Sequence, residues 1–164
     1  MPADLTAPRL ASRSVTTMTE FILPTHANAL GSVFGGQVMA WIDLCAAICA
    51  QRHTGHIVTT ASIDELSFDR PIKIGQVAQL TARVTAAFRT SVEVRVHVDG
   101  EDATTGERWP CVSAFVTFVA VDGELRPAAV PPLALASDED RALALAAAAR
   151  RAQRLERRRR AIEP

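Results

Sequence analysis

The sequence has few cysteines and no excess of one charge. Cys45, Cys49 and Cys111 are the only cysteines among 164 residues. Because three is an odd number and too few for a disulfide framework, we expect a reducing compartment. Eighteen basic and 18 acidic side chains give a formal net charge of zero. A protein whose main domain binds nucleic acid is therefore not expected.

The sequence also lacks a long hydrophobic run. The longest weakly charged stretch, residues 34–51, contains Asp43 and the pair Gly35-Gly36, and its length is at the lower limit for a membrane span. The N-terminal residues contain no apolar run of the length found in signal peptides. We therefore expect a cytoplasmic protein without a membrane span.

The basic residues are concentrated at the C-terminal end. Residues 137–164 have a net charge of +3 and residues 1–136 a net charge of −3, since seven arginines lie between Arg150 and Arg160. Ser137 followed by three acidic residues is typical of a helix start. We expect a flexible N-terminal lead-in over residues 1–17, one domain over residues 18–136 and an Arg-rich C-terminal helix or partly disordered tail over residues 137–164.

One buried helix and a series of strands are predicted between the two ends. Residues 37–52 contain no proline or glycine and are apolar nearly all round, which favours a buried helix. Residues 18–23 and most of residues 56–121 have strand character. In residues 90–98 valines alternate with Glu93, Arg95 and His97, which predicts one buried and one solvated face. The pattern favours an α+β fold, with an antiparallel sheet wrapped around one helix.

Asp43 and the helix start are the candidate chemical groups. A carboxylate in an otherwise uncharged helix is costly to bury unless it is paired, hydrogen-bonded or used in chemistry. The alternative is that Asp43 lies where the helix meets water or a subunit interface. Gly35 and Gly36 open the helix, where free backbone N–H groups can bind an oxyanion; they can equally serve a tight turn. Asn28 by itself is typical of a structural turn.

The run from Asn28 to Asp43 follows the pattern N-x-x-G-x-V/I-x-G-G-x-x-M-x-x-x-D at every fixed position. In this respect the chain resembles the hotdog-fold acyl-CoA thioesterases, specifically the cytosolic (brain-type) acyl-CoA hydrolase family. The similarity extends over residues 18–122. It implies hydrolysis of fatty acyl-CoA to a fatty acid and CoA, with no metal and no cofactor besides the CoA of the substrate.

The resemblance also implies roles for individual residues. The backbone N–H of Gly36, with that of Gly35, would polarise the thioester carbonyl. Asp43 would be the general base or the nucleophile, and Asn28 would orient water or substrate. Because the two side chains come from different hotdog units in related enzymes, the site would be shared across a homodimer. Further assembly to a hexamer, a trimer of dimers, is expected.

Arg89, Thr90 and Ser91 match the family segment that contacts CoA, and Arg89 would bind a phosphate. The family has glycine before this arginine, whereas this chain has Phe88, which changes how closely the backbone can approach the phosphate. A solvated surface arginine is the alternative. The basic tail is hypothesised to contact CoA phosphates as well.

Other candidates have simpler explanations. Cys45, Cys49 and His53 share a helix face, as zinc ligands can, but small cysteines commonly fill cores, so no metal site is predicted. Cys111 lacks the context of a nucleophile. His26 and His97 are expected to be solvated, and Asp64 and Glu65 to be surface charges at a strand edge. Two alternative functions remain: a non-catalytic acyl-CoA-binding hotdog module, and an enoyl-thioester hydratase or dehydratase, which needs a histidine such as His26.

Overall fold

The computed structural model describes residues 6–162, and its elements form one main sheet, a small strand pair and two long helices. The strands are β1 (Arg9–Leu10), β2 (Thr16–Phe21), β3 (Ile57–Phe68), β4 (Val77–Ala87), β5 (Ser91–Asp102), β6 (Glu107–Val121) and β7 (Leu133–Ala134). The helices are α1 (Gly35–Thr54) and α2 (Asp138–Ile162), with 3₁₀ turns at Ala11–Arg13 and Pro24–His26. The helix and strands predicted within residues 18–23, 37–52 and 56–121 are confirmed as β2, α1 and β3 to β6, whereas β1 and β7 were not predicted.

Helix α1 lies against the inner face of the main sheet. It exceeds the predicted range by two residues at each end and stops at Gly55, which has a φ of 73°, a conformation that glycine adopts without strain. Its buried side chains include Val38, Ile42 and Cys49. The prediction of burial all round holds for one face only. On the other face Met39 is 40% exposed and Leu44 is 52% exposed.

Five antiparallel strands form the main sheet in the order β2-β4-β5-β6-β3. The alternating valines of β5 all face the core, as predicted, and His97 is exposed. The edge strand β3 has a register shift between Thr60 and Ser62, so that Thr60 lies opposite Phe118 and Ser62 lies opposite Thr117. An extra residue in a strand reverses the faces of the residues that follow it. Thr60 therefore faces α1, whereas Ser62 faces away from it.

Helix α2 packs across the outer face of the sheet, where a solvated face was predicted. Glu93 was expected on that face in contact with water, but it is fully buried and paired with Arg150 of α2 at 2.8 Å. Asp64 was also expected at the surface; only 12% of its side chain is exposed, because Arg154 binds it at 2.7 Å. The tail is thus an ordered helix that ion pairs dock on the sheet, while most of its residues remain exposed.

The N-terminal lead-in also needs correction. The predicted boundary between residues 17 and 18 lies inside β2, and β1 pairs in parallel with β7. Ala11 and Ser14 are buried, because the segment packs against the domain. Residues 1–5 of the lead-in and residues 163–164 of the tail lie outside the described residues. Within the described residues, no helix is long and apolar enough to cross a membrane.

Candidate active site

The first turn of α1 presents backbone N–H groups that no side chain caps. Phe34 is the N-cap residue and makes no side-chain hydrogen bond to the turn. Helix geometry leaves the first N–H groups without intrahelical acceptors, at the positive end of the helix dipole. A Cβ on Gly36 would lie 2.5 Å from the Phe34 ring, whereas one on Gly35 would only touch Phe68 at 3.4 Å. A side chain at position 36 would therefore have to displace the exposed Phe34 ring.

Asn28 lies in the loop before this turn and is exposed. Its Oδ1 accepts hydrogen bonds from the backbone N–H groups of Leu30 at 2.9 Å and Ser32 at 3.3 Å. Because the oxygen is used in the loop, the side-chain NH₂ is the group that can donate to a ligand. Asn28 and Gly35 both line a groove of about 280 Å³, whose other lining residues are Ser32, Val33, Phe68, Asp69, Arg70, Pro71, Ile72 and Cys111. The structure thus brings Asn28 and the start of α1 together.

Asp43 lies further along α1 and is half-buried. Its Oδ1 accepts a hydrogen bond of 2.7 Å from the hydroxyl of Thr60 on β3. This contact fixes the carboxylate at the edge of the sheet. Sequence reasoning missed Thr60, because it lies 17 residues from Asp43 on a different element.

Within a single chain, Asp43 lies too far along α1 to act on a group bound at the first turn of the helix. Seven residues separate Asp43 from Gly36, which at 1.5 Å per residue is about 10.5 Å along the helix axis. A group bound at the Gly36 N–H is therefore beyond the reach of the Asp43 carboxylate of the same chain. The predicted site is thus present as two separate parts: Asn28 with the first turn of α1, and Asp43 with Thr60.

The segment Arg89-Thr90-Ser91 lies elsewhere, at the hairpin between β4 and β5. The turn is closed by a hydrogen bond of 2.8 Å from the Phe88 N–H to the Ser91 carbonyl. Arg89 is exposed, and Ser91 lines a larger groove of about 510 Å³ beneath α2. This groove shares no lining residue with the one at Asn28.

The thiols are placed as inert core groups. Burial raises the pKa of Cys45, Cys49 and Cys111 to about 11 in each case. Such thiols are protonated at neutral pH and are poor nucleophiles and metal ligands. Among residues 6–162, no group of three histidine, cysteine, aspartate or glutamate side chains is arranged to hold a metal ion. Cys111 lines the Asn28 groove, but its protonated thiol argues against nucleophilic attack.

The histidines near the site are engaged in packing. The His26 ring lies edge-on to Trp41 at 5.1 Å between centroids, and its Nδ1 accepts a hydrogen bond from the Leu23 N–H at 3.3 Å. His53 is buried, with Nε2 3.2 Å from the Pro131 carbonyl, and burial lowers its pKa. His26 was expected to be solvated but is only partly exposed, because the loop folds over α1.

The comparisons with known proteins all point to thioesterases. Residues 30–107 match the model of the thioesterase superfamily. The chain is 35% identical over 132 residues to a Bacillus subtilis protein named uncharacterized acyl-CoA thioester hydrolase YkhA, covering 80% of this chain and 77% of that protein. It is 41% identical over 103 residues to mouse acyl-coenzyme A thioesterase 11, covering 63% of this chain. It spans only 17% of the length of that mouse protein and 25% of mouse acetyl-coenzyme A thioesterase.

The similar solved structures are also acyl-CoA thioesterases or hydrolases. A hexameric acyl-CoA thioesterase in its apo form is 38% identical, with a TM-score of 0.87 over 92% of this chain and 97% of that one. An acyl-CoA hydrolase of Staphylococcus aureus in complex with butyryl coenzyme A and coenzyme A is 33% identical, with a TM-score of 0.85 over 93% of each chain. Variants of that hydrolase carry alanine in place of its Asn28, Asp43 or Thr60; this chain has the same residue types at those numbers. The chain belongs to the thioesterase superfamily and has the hotdog fold of its acyl-CoA hydrolases.

Proposed function

We propose that this chain hydrolyses acyl-CoA thioesters to a fatty acid and CoA. The observation that supports this most strongly is that one helix carries two chemical features. The first turn of α1 has uncapped N–H groups at Gly35 and Gly36, and two turns later Asp43 is held by the Thr60 hydroxyl. An oxyanion donor and a fixed carboxylate are the groups that thioester hydrolysis requires.

The proposed reaction adds water across the C–S bond. The thioester carbonyl oxygen lies at the first turn of α1, where the Gly36 N–H stabilises the negative charge that develops on it. Asp43 either removes a proton from the attacking water or attacks the carbonyl carbon itself. Where water attacks, the tetrahedral intermediate collapses with cleavage of the C–S bond; where Asp43 attacks, cleavage of the C–S bond leaves a mixed anhydride on Asp43, which water then hydrolyses. In both cases the CoA sulfur takes up a proton and the carboxylic acid is released. The NH₂ of Asn28 orients the water or the carbonyl.

The active site is proposed to form between two copies of the chain. Since Asp43 lies about 10.5 Å along the helix axis from Gly36 of its own chain, a second copy is proposed to supply one of the two groups. The face of α1 next to Asp43 is apolar and exposed at Met39 and Leu44, and Ile57 on the edge strand β3 is 66% exposed. Pairing of two copies here would bury these side chains. A homodimer that pairs Asn28 and Gly36 of one copy with Asp43 of the other follows, and a hexamer of three such dimers is the proposed assembly.

The proposed chemistry needs no cofactor and no metal, since the N–H groups provide the electrostatic stabilisation. We place the activity in the cytoplasm. The three free, buried cysteines suit a reducing compartment, and one rat relative, 30% identical over 136 residues, is named a cytosolic acyl coenzyme A thioester hydrolase.

No observation favours the alternative functions. A hydratase or dehydratase would use a histidine, but the His26 ring packs against Trp41 and its Nδ1 accepts a backbone hydrogen bond. A module that only binds acyl-CoA would have no use for a carboxylate fixed by Thr60.

The proposal is tested by measuring the release of free CoA thiol from acyl-CoAs of C2 to C18. We expect turnover with an optimum of chain length, and a loss of about 10²-fold in kcat in Asp43→Asn with unchanged folding. Asp138→Asn, which neutralises a fully exposed carboxylate on α2, serves as the control and should keep wild-type activity. Binding of acyl-CoA without thiol release by the wild type would refute hydrolysis and favour a binding module.

A further inference from the structure

Asn28 belongs to a small loop that its own backbone closes. This Asn28 loop (residues 27–33) contains a hydrogen bond of 2.8 Å from the Asn28 N–H to the Ser32 carbonyl and an antiparallel bridge between Ala27 and Val33. The loop therefore holds its own shape. Because Asn28 is exposed, the direction of its NH₂ group depends on how the two ends of the loop are attached to the domain.

Both ends of the loop are bonded to neighbouring segments. At the C-terminal end, the Val33 N–H donates to the Ile72 carbonyl at 2.8 Å. At the N-terminal end, the His26 carbonyl accepts a hydrogen bond of 2.8 Å from the Phe34 N–H. Since Phe34 is the N-cap residue of α1, this bond joins the beginning of the Asn28 loop to the first turn of the helix.

The side chain of His26 fixes this junction through two contacts. Its Nδ1 accepts a hydrogen bond of 3.3 Å from the N–H of Leu23, the N-cap residue of the 3₁₀ turn Pro24–His26. Its ring stands at 90° to the ring of Trp41 on α1, with 5.1 Å between the centroids. Trp41 is only 7% exposed, so the core holds it in place. A hydrogen bond and an edge-to-face ring pair each stabilise the arrangement that they join.

The junction lies between the two groups that are proposed to contact the substrate. Asn28 follows His26 by two residues, and Gly36 follows Phe34 by two residues. The hydrogen bond from the Phe34 N–H to the His26 carbonyl therefore sets the position of the Asn28 side chain relative to the Gly36 N–H. A change in the orientation of His26 would alter that position without removing either group.

We propose that His26 is a positioning residue for the hydrolysis and holds the NH₂ of Asn28 at a fixed place relative to the backbone N–H of Gly36. The inference rests on the proposed function and goes beyond it, since His26 acts through Asn28 and not on the substrate. A group that orients a substrate loses much of its effect when it is displaced by about 1 Å. Without the His26 ring, the Asn28 loop would keep its own bonds but would be free to rotate at its N-terminal end.

Three substitutions of His26 test this role in the thiol-release assay. His26→Ala removes both side-chain contacts and should lower kcat by about tenfold while KM changes by less than about twofold. His26→Asn keeps a short acceptor and His26→Phe keeps a ring, so at least one of them should recover part of the loss. The control His97→Ala, which removes an exposed histidine of β5, should keep the wild-type kcat. An unchanged kcat in His26→Ala, or no recovery in either of the other variants, would overturn the proposal.

A double variant shows whether His26 acts through Asn28. Two residues that act through one shared group have effects that do not add. We therefore expect His26→Ala to cause no further loss of kcat when it is introduced into Asn28→Ala, whose residual activity is measured at raised protein concentration. A loss of about tenfold in both backgrounds would mean that His26 does not act through Asn28 and would contradict the assignment.

Amide hydrogen exchange tests the geometry without any need for activity. In His26→Ala the amides of Asn28 and Phe34 should exchange about tenfold faster than in the wild type, whereas those of the core strand β5 should exchange at the wild-type rate. Unchanged exchange at Asn28 and Phe34 would overturn the positioning role. A wild type that releases no thiol would refute the proposed function, while exchange would still show whether His26 holds the loop.

Discussion

Replacing Arg150 by methionine removes one half of the ion pair that docks α2 on the sheet. The Arg150 side chain is 11% exposed and contacts Glu93, which is fully buried, through hydrogen bonds of 2.8 and 3.0 Å. Its guanidinium also lies 3.6 Å from the centroid of the Phe115 ring. These hydrogen bonds to Glu93 raise the pKa of Arg150. In the variant, Glu93 keeps only the hydrogen bond of 2.8 Å from the Thr85 hydroxyl.

The expected loss follows from leaving a buried carboxylate without its cation. Removing one partner of a buried ion pair costs about 3–5 kcal/mol, whereas replacing both by apolar side chains is often neutral. We therefore expect Arg150→Met to lower the free energy of unfolding by about 3–5 kcal/mol. The double variant Glu93→Leu, Arg150→Met should recover most of this loss, because no charge remains to be buried.

The free energy of unfolding is measured by urea titration at one fixed protein concentration, since assembly adds to stability. Arg159→Met is the matched control: its side chain is 79% exposed, and the variant should change stability by less than about 0.5 kcal/mol. A loss below about 1 kcal/mol in Arg150→Met, or a double variant less stable than the single one, would refute the view that this pair docks α2.

Three further predictions concern the site and the core. Thr60→Val removes a hydrogen bond to the helix carboxylate and should lower kcat by about tenfold or more in the thiol-release assay, whereas Thr59→Val should not. Because burial lowers the pKa of His53, the folded state disfavours its protonation, so urea stability should fall as pH drops through the ordinary histidine range, and less steeply in His53→Gln. Cys45, Cys49 and Cys111 should react slowly with a thiol reagent at pH 8 and readily once unfolded.

Contrary results would be informative in each case. Full activity of Thr60→Val would mean that the carboxylate needs no fixed orientation. An identical pH dependence in His53→Gln would assign the acid sensitivity to other groups. Rapid modification of a cysteine in the folded protein would contradict its burial and its raised pKa.

Local patterns were sufficient for the parts of the fold that depend on neighbouring residues. The absence of proline and glycine from residues 37–52 predicted α1, and the alternating valines of β5 predicted which of its faces meets the core. Asp43 stood out as a lone charge in an apolar helix. Each of these signals lies within a few residues of the feature it predicts.

Contacts between distant residues could not be predicted in the same way. Glu93 looks like a solvated strand residue until α2 covers it from 57 positions away. Thr60 contacts Asp43 of α1 across 17 positions. The register shift that turns Ser62 to the opposite face of β3 leaves no mark in the alternation of residues.

The proposed active site is shared between two copies of the chain, and a complementation assay tests this directly. Asn28→Ala and Asp43→Ala are each expected to be nearly inactive alone. In dimers formed from an equal mixture of the two after co-expression, half would be mixed, and each mixed dimer would have one intact site of two. Thiol release at about a quarter of the wild-type rate is therefore predicted. No recovery of activity in the mixture, with mixed dimers demonstrated, would contradict the shared site.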